Sequence, residues 1–390
     1  MDFLLNEQQK MIIETARKVG EEYGLEYWRE IDAKKQFPTE IWKAICDAGL
    51  AAAALPEDVG GSGLGMLELA MIVETLAASG AGSTVGQLFM NNPIFGGVGI
   101  SRFGTEQMKR DYLPKLVSGE MLFCMALTEP DAGSNSLEIQ TFAKREGNGF
   151  RINGRKIWIT GVPQADKVLV IARTQKAEDV TRRTDGITMF LLDRDREGLT
   201  HTPIEKVGTN TLTSSMVFLD DVWAGPDEIV GTIDMGWHEL LDVLNTERIV
   251  TTACLVGTAQ LAIELAVKYA GERKVFRGAP IGSYQGLQFP LAEAYAQTET
   301  ARLMNYKAAS LFDSGLPYGS EANIAKLIAG HASAQATDRA MQTMGGMGYA
   351  KESYVERLWR DARLFRIAPI SEEMILNFIS IHNLKMPRSY

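Results

Sequence analysis

One carboxylate stands where a helix normally places apolar side chains. In LLDVLNTERIVTTACLVGTAQLAIELAVKYA, stepping by three and four from Leu240 gives Val243, Glu247, Val250, Cys254, Gly257 and Leu261. Every member of that stripe is apolar or small except Glu247. Burial removes water from a carboxylate, raises its pKa and fits it for work as a general base. The plainer reading is a structural pair with Arg248, but adjacent helical residues point about 100° apart and pair poorly with each other.

Other segments carry groups that bind rather than transfer. TEPDAGSNS, residues 128–136, follows a strand-like run and is rich in hydroxyls and small residues. GRKIWIT, 154–160, sets Trp158 and Thr160 on a second strand. ERKVFRGAPIGSYQ, 272–285, brings Arg273, Lys274 and Arg277 to the end of the Glu247 helix, where cations also compensate the helix dipole. QTMGGMGY, 342–349, holds the pair Gly345–Gly346, and glycine lets a backbone approach phosphate closely. VERLWRDAR, 355–363, opens a last helix. The three cysteines, Cys46, Cys124 and Cys254, are far apart, and the four histidines are scattered, so no metal or redox motif is formed.

The elements that position these residues fall into three blocks. Residues 1–120 read as helices, starting with Asn6 as an N-cap and restarting after Pro38. Residues 121–232 are short β-branched runs such as FCMALTEP, DKVLVIART and GITMFLLDR, punctuated by GNG, NGR, TDG and DRDREG, which predicts an antiparallel β domain, a small barrel or sandwich. Residues 233–390 return to the helical period over 236–271, 284–314, 320–345 and 352–384, the pattern of a four-helix bundle.

The 390 residues are 45% hydrophobic and 23% charged, an ordinary globular composition. A net charge of −9 argues against nucleic acid. The N-terminus MDFLLNEQQK has no secretory pattern, and no run of eighteen apolar residues is present, so a cytoplasmic protein without a membrane span is expected.

Together, in this order, the segments resemble the acyl-CoA dehydrogenase family of FAD flavoproteins, and the resemblance runs over essentially the whole chain. It implies an α+β multidomain fold with an N-terminal helical domain, a middle antiparallel β-barrel and a C-terminal four-helix bundle. It implies α,β-dehydrogenation of an acyl-CoA thioester: a base takes the α-proton, the β-hydride goes to flavin N5, and the electrons leave to an electron-transferring flavoprotein. By the same resemblance Met125, Leu127, Thr128 and Ser134 line the flavin, Trp158 forms its wall and Thr160 offers a donor. Ser134 also lies near the thioester. Arg273 reaches the FAD diphosphate of a neighbouring subunit, Phe276 and Gln285 lie near its adenylate half, and Gln342, Gly345 and Gly346 approach the same diphosphate. Ser371 and Glu373 complete the cofactor set, and Leu244, Asn245, Arg248 and Ile370 the substrate set. A cofactor site built from two chains implies a homo-oligomer, a dimer or tetramer.

The chain departs from the family in places. Many members carry the base where this sequence has Pro369. A smaller set carries it on the first bundle helix, where Glu247 stands, followed by Arg248. Proline has no N–H with which to polarise the thioester carbonyl; the Ile370 N–H is expected to substitute, a substrate whose α-proton is already acidified and a weakly active paralogue being the alternatives. Met125 replaces a frequent aromatic, Asn135 an acid, and one extra residue separates Phe276 from Gln285. The helix around Gly86 to Gly99, with Phe89, Met90 and Phe95, is expected to line the acyl pocket. An enoyl-CoA reductase running in reverse and an oxidase or monooxygenase on the same fold remain open alternatives.

Overall fold

The computed structural model describes residues 4–388. Its N-terminal part is helical: α1 Glu7–Lys34, α2 Thr39–Asp47, α3 Met66–Leu76, α4 Thr84–Phe89, α5 Gly99–Phe103 and α6 Glu106–Val117. Asn6 starts α1 with a capping box: its Oδ1 accepts from Gln9 N at 2.8 Å, and Gln9 Oε1 accepts from Asn6 N at 3.2 Å. Between α4 and α5 the chain continues as a wide π-type helix, Met90–Val98, around Pro93.

The middle block contains β1 Phe123–Ala126, β2 Phe142–Glu146, β3 Gly149–Thr160, β4 Lys167–Arg173, β5 Ile187–Asp193, β6 Leu199–Pro203, β7 Ser214–Ala224 and β8 Ile229–Val230. They form one sheet in the order β6-β7-β3-β2-β4-β5-β8. The sheet is mixed rather than wholly antiparallel, because β1 joins β4 in parallel, Phe123 opposite Lys167 and Ala126 opposite Val170. Every residue of β4 is buried. Val168, Val170 and Ala172 face the sheet's own core, while Leu169 and Ile171 pack with Leu113 and Leu116 of α6. Covering both faces explains why β4 reads as a continuous apolar run.

The C-terminal block is α7 Gly236–Glu272, a hairpin of β9 Lys274–Val275 and β10 Ala279–Pro280, then α8 Gln285–Asp313, α9 Gly319–Met344, α10 Val355–Leu364 and α11 Glu372–Phe378. The helix expected over 352–384 is therefore two pieces, α10 and α11. Pro369 explains the break: it cannot donate to the ladder and disfavours helical geometry in the residue before it. The intervening segment, with a cis Ala368–Pro369 peptide, crosses the end of the bundle near α9.

Helix α7 is the core of the molecule. All residues from Ile249 to Ala259 are buried, so it is apolar around its circumference rather than on one stripe. It is long and apolar enough to cross a membrane by composition alone, but 83% of the relevant window is buried inside the protein. Close approach is bought at Gly257 and Gly86: a Cβ on the first would overlap Glu74 O of α3, and one on the second would overlap Cys254 of α7.

Candidate active site

Glu247 lies in the first half of α7 and is only 6% exposed. Burial pushes its carboxyl up to about 7, against the pull of the positive charges on Arg248 and Lys326. Arg248 does not pair with Glu247; its guanidinium donates to Asn245 Oδ1, one turn earlier. The predicted substrate residues Leu244, Asn245 and Arg248 thus share one turn and a half of α7 with the carboxylate, and all are half-buried.

Sequence reasoning passed over Lys326. It sits on α9 at 1% exposure, and its Nζ donates to Ile370 O at 2.5 Å. The signal was available. Ala322, Ala325, Ala329, Ala332, Ala336 and Ala340 form an apolar stripe on α9, and Lys326 is its charged member, as Glu247 is on α7. Ile370 is half-buried and Pro369 is exposed. Within this segment the N–H groups of Ile367 and Ala368 donate to Leu364 O and that of Glu372 to Arg366 O, which leaves Ile370 N–H outside the local backbone bonds.

The strand residues predicted for the flavin gather on one side of the sheet. Met125, the third residue of β1, packs against the same two apolar clusters as Leu244 of α7, so that strand and the Glu247 helix border a shared core. Leu127 and Thr128 follow the end of β1 at Ala126, and Thr128 O accepts from Ile157 N at 2.9 Å, tying the first segment to the Trp158 strand. Behind this edge lies a second overlooked lysine. Lys156 is fully buried and its Nζ donates to Leu127 O and to Glu129 Oε1, both at 2.8 Å. Glu129 also accepts from Gln140 N and Thr141 N at 2.6 and 2.9 Å. Burial pushes Lys156 down to about 8 against the opposing charge of Glu129. Burial works to raise Glu129 as well, but Lys156 and the two amides outweigh it and hold the carboxyl below its usual value.

Trp158 is 54% exposed and has φ +61°, a left-handed geometry costly for a bulky residue. The register between β3 and β7 shifts between Lys156 and Ile159, the mark of a bulge. Without it Lys156 and Trp158 would face the same side; with it one is driven into the core and the other out. Strain and an exposed indole at one point are typical of a ligand wall. Thr160 pairs its hydroxyl with Ser214 Oγ at 3.0 Å, while its carbonyl accepts from Asn91 Nδ2 at 2.9 Å. Ser134 is exposed. An apolar wall, a rigid polar edge and a buried carboxylate near the same strand are a donor set that suits a flavin ring.

The remaining cofactor candidates lie elsewhere. Arg273 and Phe276 belong to the exposed hairpin segment after α7, Phe276 at 82% exposure and φ +25°, and Gln285 is exposed at the start of α8. Gln342, Gly345 and Gly346 are exposed at the end of α9, where Gly345 terminates the helix at φ +59°. At ~1.5 Å per residue, Arg273 is about 40 Å along α7 from Glu247. A single chain does not bring the two groups together. Ser371 caps α11, accepting from Met374 N at 3.3 Å, and Glu373 is exposed beside it.

Comparison with known proteins matches the three blocks to three domain families in the same order: acyl-CoA dehydrogenase N-terminal domain over 6–120, middle domain over 124–222 and C-terminal domain over 234–382. The chain is 39% identical to the acyl-CoA dehydrogenase FadE12 of Mycobacterium tuberculosis, covering 100% of this chain and 99% of that one. It is 33% identical to the 3-(aryl)acrylate reductase of Clostridium sporogenes, over 97% and 99% of the two. The structure of glutaryl-coenzyme A dehydrogenase in complex with glutaryl-CoA superposes with a TM-score of 0.94 at 30% identity, over 100% of this chain and 98% of that one. With all three domains matched and a relative similar along its full length, this chain belongs to the acyl-CoA dehydrogenase family.

Proposed function

We propose that the protein catalyses FAD-dependent α,β-dehydrogenation of an acyl-CoA thioester, with Glu247 as the base. The observation that carries this reading is the burial of that one carboxylate, which pushes it up to about 7. A base poised there is ionised in a useful fraction at neutral pH yet still takes a proton readily. Bound FAD supplies the acceptor for the β-hydride. The chain's own residues do the rest. Trp158 offers the flat wall, and Leu127 and Thr128 the polar edge, kept in place by Lys156 from behind. Leu240 and Val243, both buried, keep the turn before Glu247 dry. Ile370 N–H is the donor for the thioester oxygen, one residue beyond the proline that cannot serve. Arg273, Phe276, Gln285, Gln342, Gly345 and Gly346 hold the distal half of FAD from a neighbouring protomer, so the working enzyme is a homo-oligomer. Electrons pass on to an electron-transferring flavoprotein.

A yellow purified protein whose flavin is bleached by one member of a panel of CoA thioesters, and by none in Glu247→Gln, is the expected result. Unaltered bleaching in that variant overturns the assignment of the base. The likeness to the 3-(aryl)acrylate reductase favours one second reading, reduction of a conjugated acyl group by the same residues in reverse. Turnover with a reduced-flavin donor and an enoyl thioester, set against oxidation by an artificial acceptor, separates the directions.

A further inference from the structure

Helices α7 and α9 are the most extensively packed pair in the molecule, and each carries one charged side chain on its apolar stripe. Those charges have opposite sign. Lys326 is as enclosed as any aliphatic residue of the core, and an ammonium in such a place is costly unless it is compensated. It makes one hydrogen bond among the described residues, to the carbonyl of Ile370. A neutral carbonyl does not balance a buried cation, so the balance must come from anions. Glu247 on α7 is the foremost of these, with Glu372 and Glu373 of α11 contributing less and Arg248 opposing.

The carbonyl that Lys326 holds belongs to the segment between α10 and α11. His331, on α9 one turn and a half further on, meets Glu372 Oε2 at 3.0 Å, and Arg366 grips the same carboxylate at 2.8 Å through Nε. Residues 366–372 are thus tied to α9 at two places, and the buried one is Lys326. That lysine touches the segment bearing the proposed thioester donor, and its charge acts on the proposed base across the packed α7–α9 pair.

We propose that Lys326 is a positioning residue for the reaction: its buried ammonium fixes the Ile370 peptide against the bundle and supplies an interior cation on the helix packed against the one that carries Glu247. The inference rests on Glu247 being the base. Groups that bear on Glu247 are Arg248 from its own helix and Lys326 from α9. Tyr318, at the start of α9, bears on Arg248 rather than on the carboxylate. Loss of the Lys326 charge leaves Arg248 as the only cation opposing desolvation among the described residues, so Glu247 must hold its proton to higher pH.

The test uses the FAD-bound enzyme with the thioester found by bleaching, and follows kcat/KM against pH together with hydrogen exchange of the 370–374 amides. Lys326→Met removes both charge and donor; Lys326→Gln removes the charge and keeps a donor; Lys326→Arg keeps both. In the first two the acid limb of kcat/KM is expected to move up by about one pH unit, a roughly tenfold loss below the midpoint that disappears at high pH. Faster exchange is expected in the Met variant alone, and the Arg variant should return the limb toward wild type. A limb that stays in place in both uncharged variants overturns the electrostatic half of the proposal. Should those variants not fold, the unaltered enzyme decides the tether: amides at 370–374 that exchange as freely as those of the exposed 181–183 turn overturn it. Persistent turnover in Glu247→Gln would sink the reading of the base instead, and leaves the exchange result standing on its own.

Discussion

Glu247 releases its proton far later in the folded protein than in the unfolded chain, and this has a catalytic and a thermodynamic consequence. Catalytically, the ionised form is the one that takes the α-proton, so kcat/KM should rise with pH through a midpoint near 7. Glu247→Gln should lower kcat by roughly 10²–10⁴ while leaving the flavin bound; steady-state assays with the flavin absorbance recorded in parallel check both. Thermodynamically, the folded value of about 7 lies above the ordinary 4.5. Between those pH values the unfolded chain binds fewer protons than the folded one, so stability falls as pH rises across that window. The amide of the variant carries no charge at any pH. It should therefore melt higher than wild type at pH 8 and show no such advantage at pH 4, a comparison open to scanning calorimetry. A group kept at the expense of stability is what a working residue looks like.

At the scale of the element, the bulge in β3 links two side chains with opposite fates. Trp158 is held at φ +61° and is exposed, so its indole contributes little to the core. Trp158→Gly relieves a left-handed geometry that costs roughly 1–2 kcal/mol for a side-chain-bearing residue, and the melting temperature should rise slightly while the dissociation constant for FAD increases tenfold or more. Equal affinity would mean that the indole does not touch the cofactor. Lys156 behaves in the reverse way. Lys156→Met strips the cation from a buried carboxylate and the donor from Leu127 O. Breaking such a pair typically costs about 3–5 kcal/mol, and the edge formed by Leu127 and Thr128 should loosen with it. Lower melting together with lost yellow colour is expected; denaturation followed by tryptophan fluorescence and flavin absorbance measures the two.

For the whole molecule the informative fact is separation. Glu247 stands toward the N-terminal end of α7 and Arg273 just past its C-terminal end, with the Arg273 hairpin open to solvent. If one cofactor joins the two ends, it does so across a boundary between protomers. Mixing two inactive variants tests this. In a twofold oligomer of Glu247→Gln with Arg273→Ala chains, each hybrid holds one site with both residues intact, so random pairing should return about a quarter of wild-type activity. A site contained in one chain would return none beyond the residual rate of the parents. Arg273→Ala alone should lower FAD retention without a change in melting of the FAD-free protein, because the side chain is exposed.

Much of this protein is legible in its sequence because its strongest signals are local. The three-block order, the long bundle helices and the cap at Asn6 all follow from hydrophobic period and turn chemistry, which depend on neighbours a few residues away. Glu247 stood out for the same reason, as a charge breaking an apolar stripe. What periodicity could not carry was the pairing of distant segments. The parallel docking of β1 on β4, the bulge that sends Lys156 inward and Trp158 outward, the split of the last helix at Pro369 and the meeting of Lys326 with Ile370 each depend on contacts between residues far apart in the chain. A lysine on a helix reads alike whether it ends in water or beside a carbonyl. Only the packing of α9 against α7 and the 366–372 segment removes the water, and desolvation is what turns such a residue from solvated surface into part of a site.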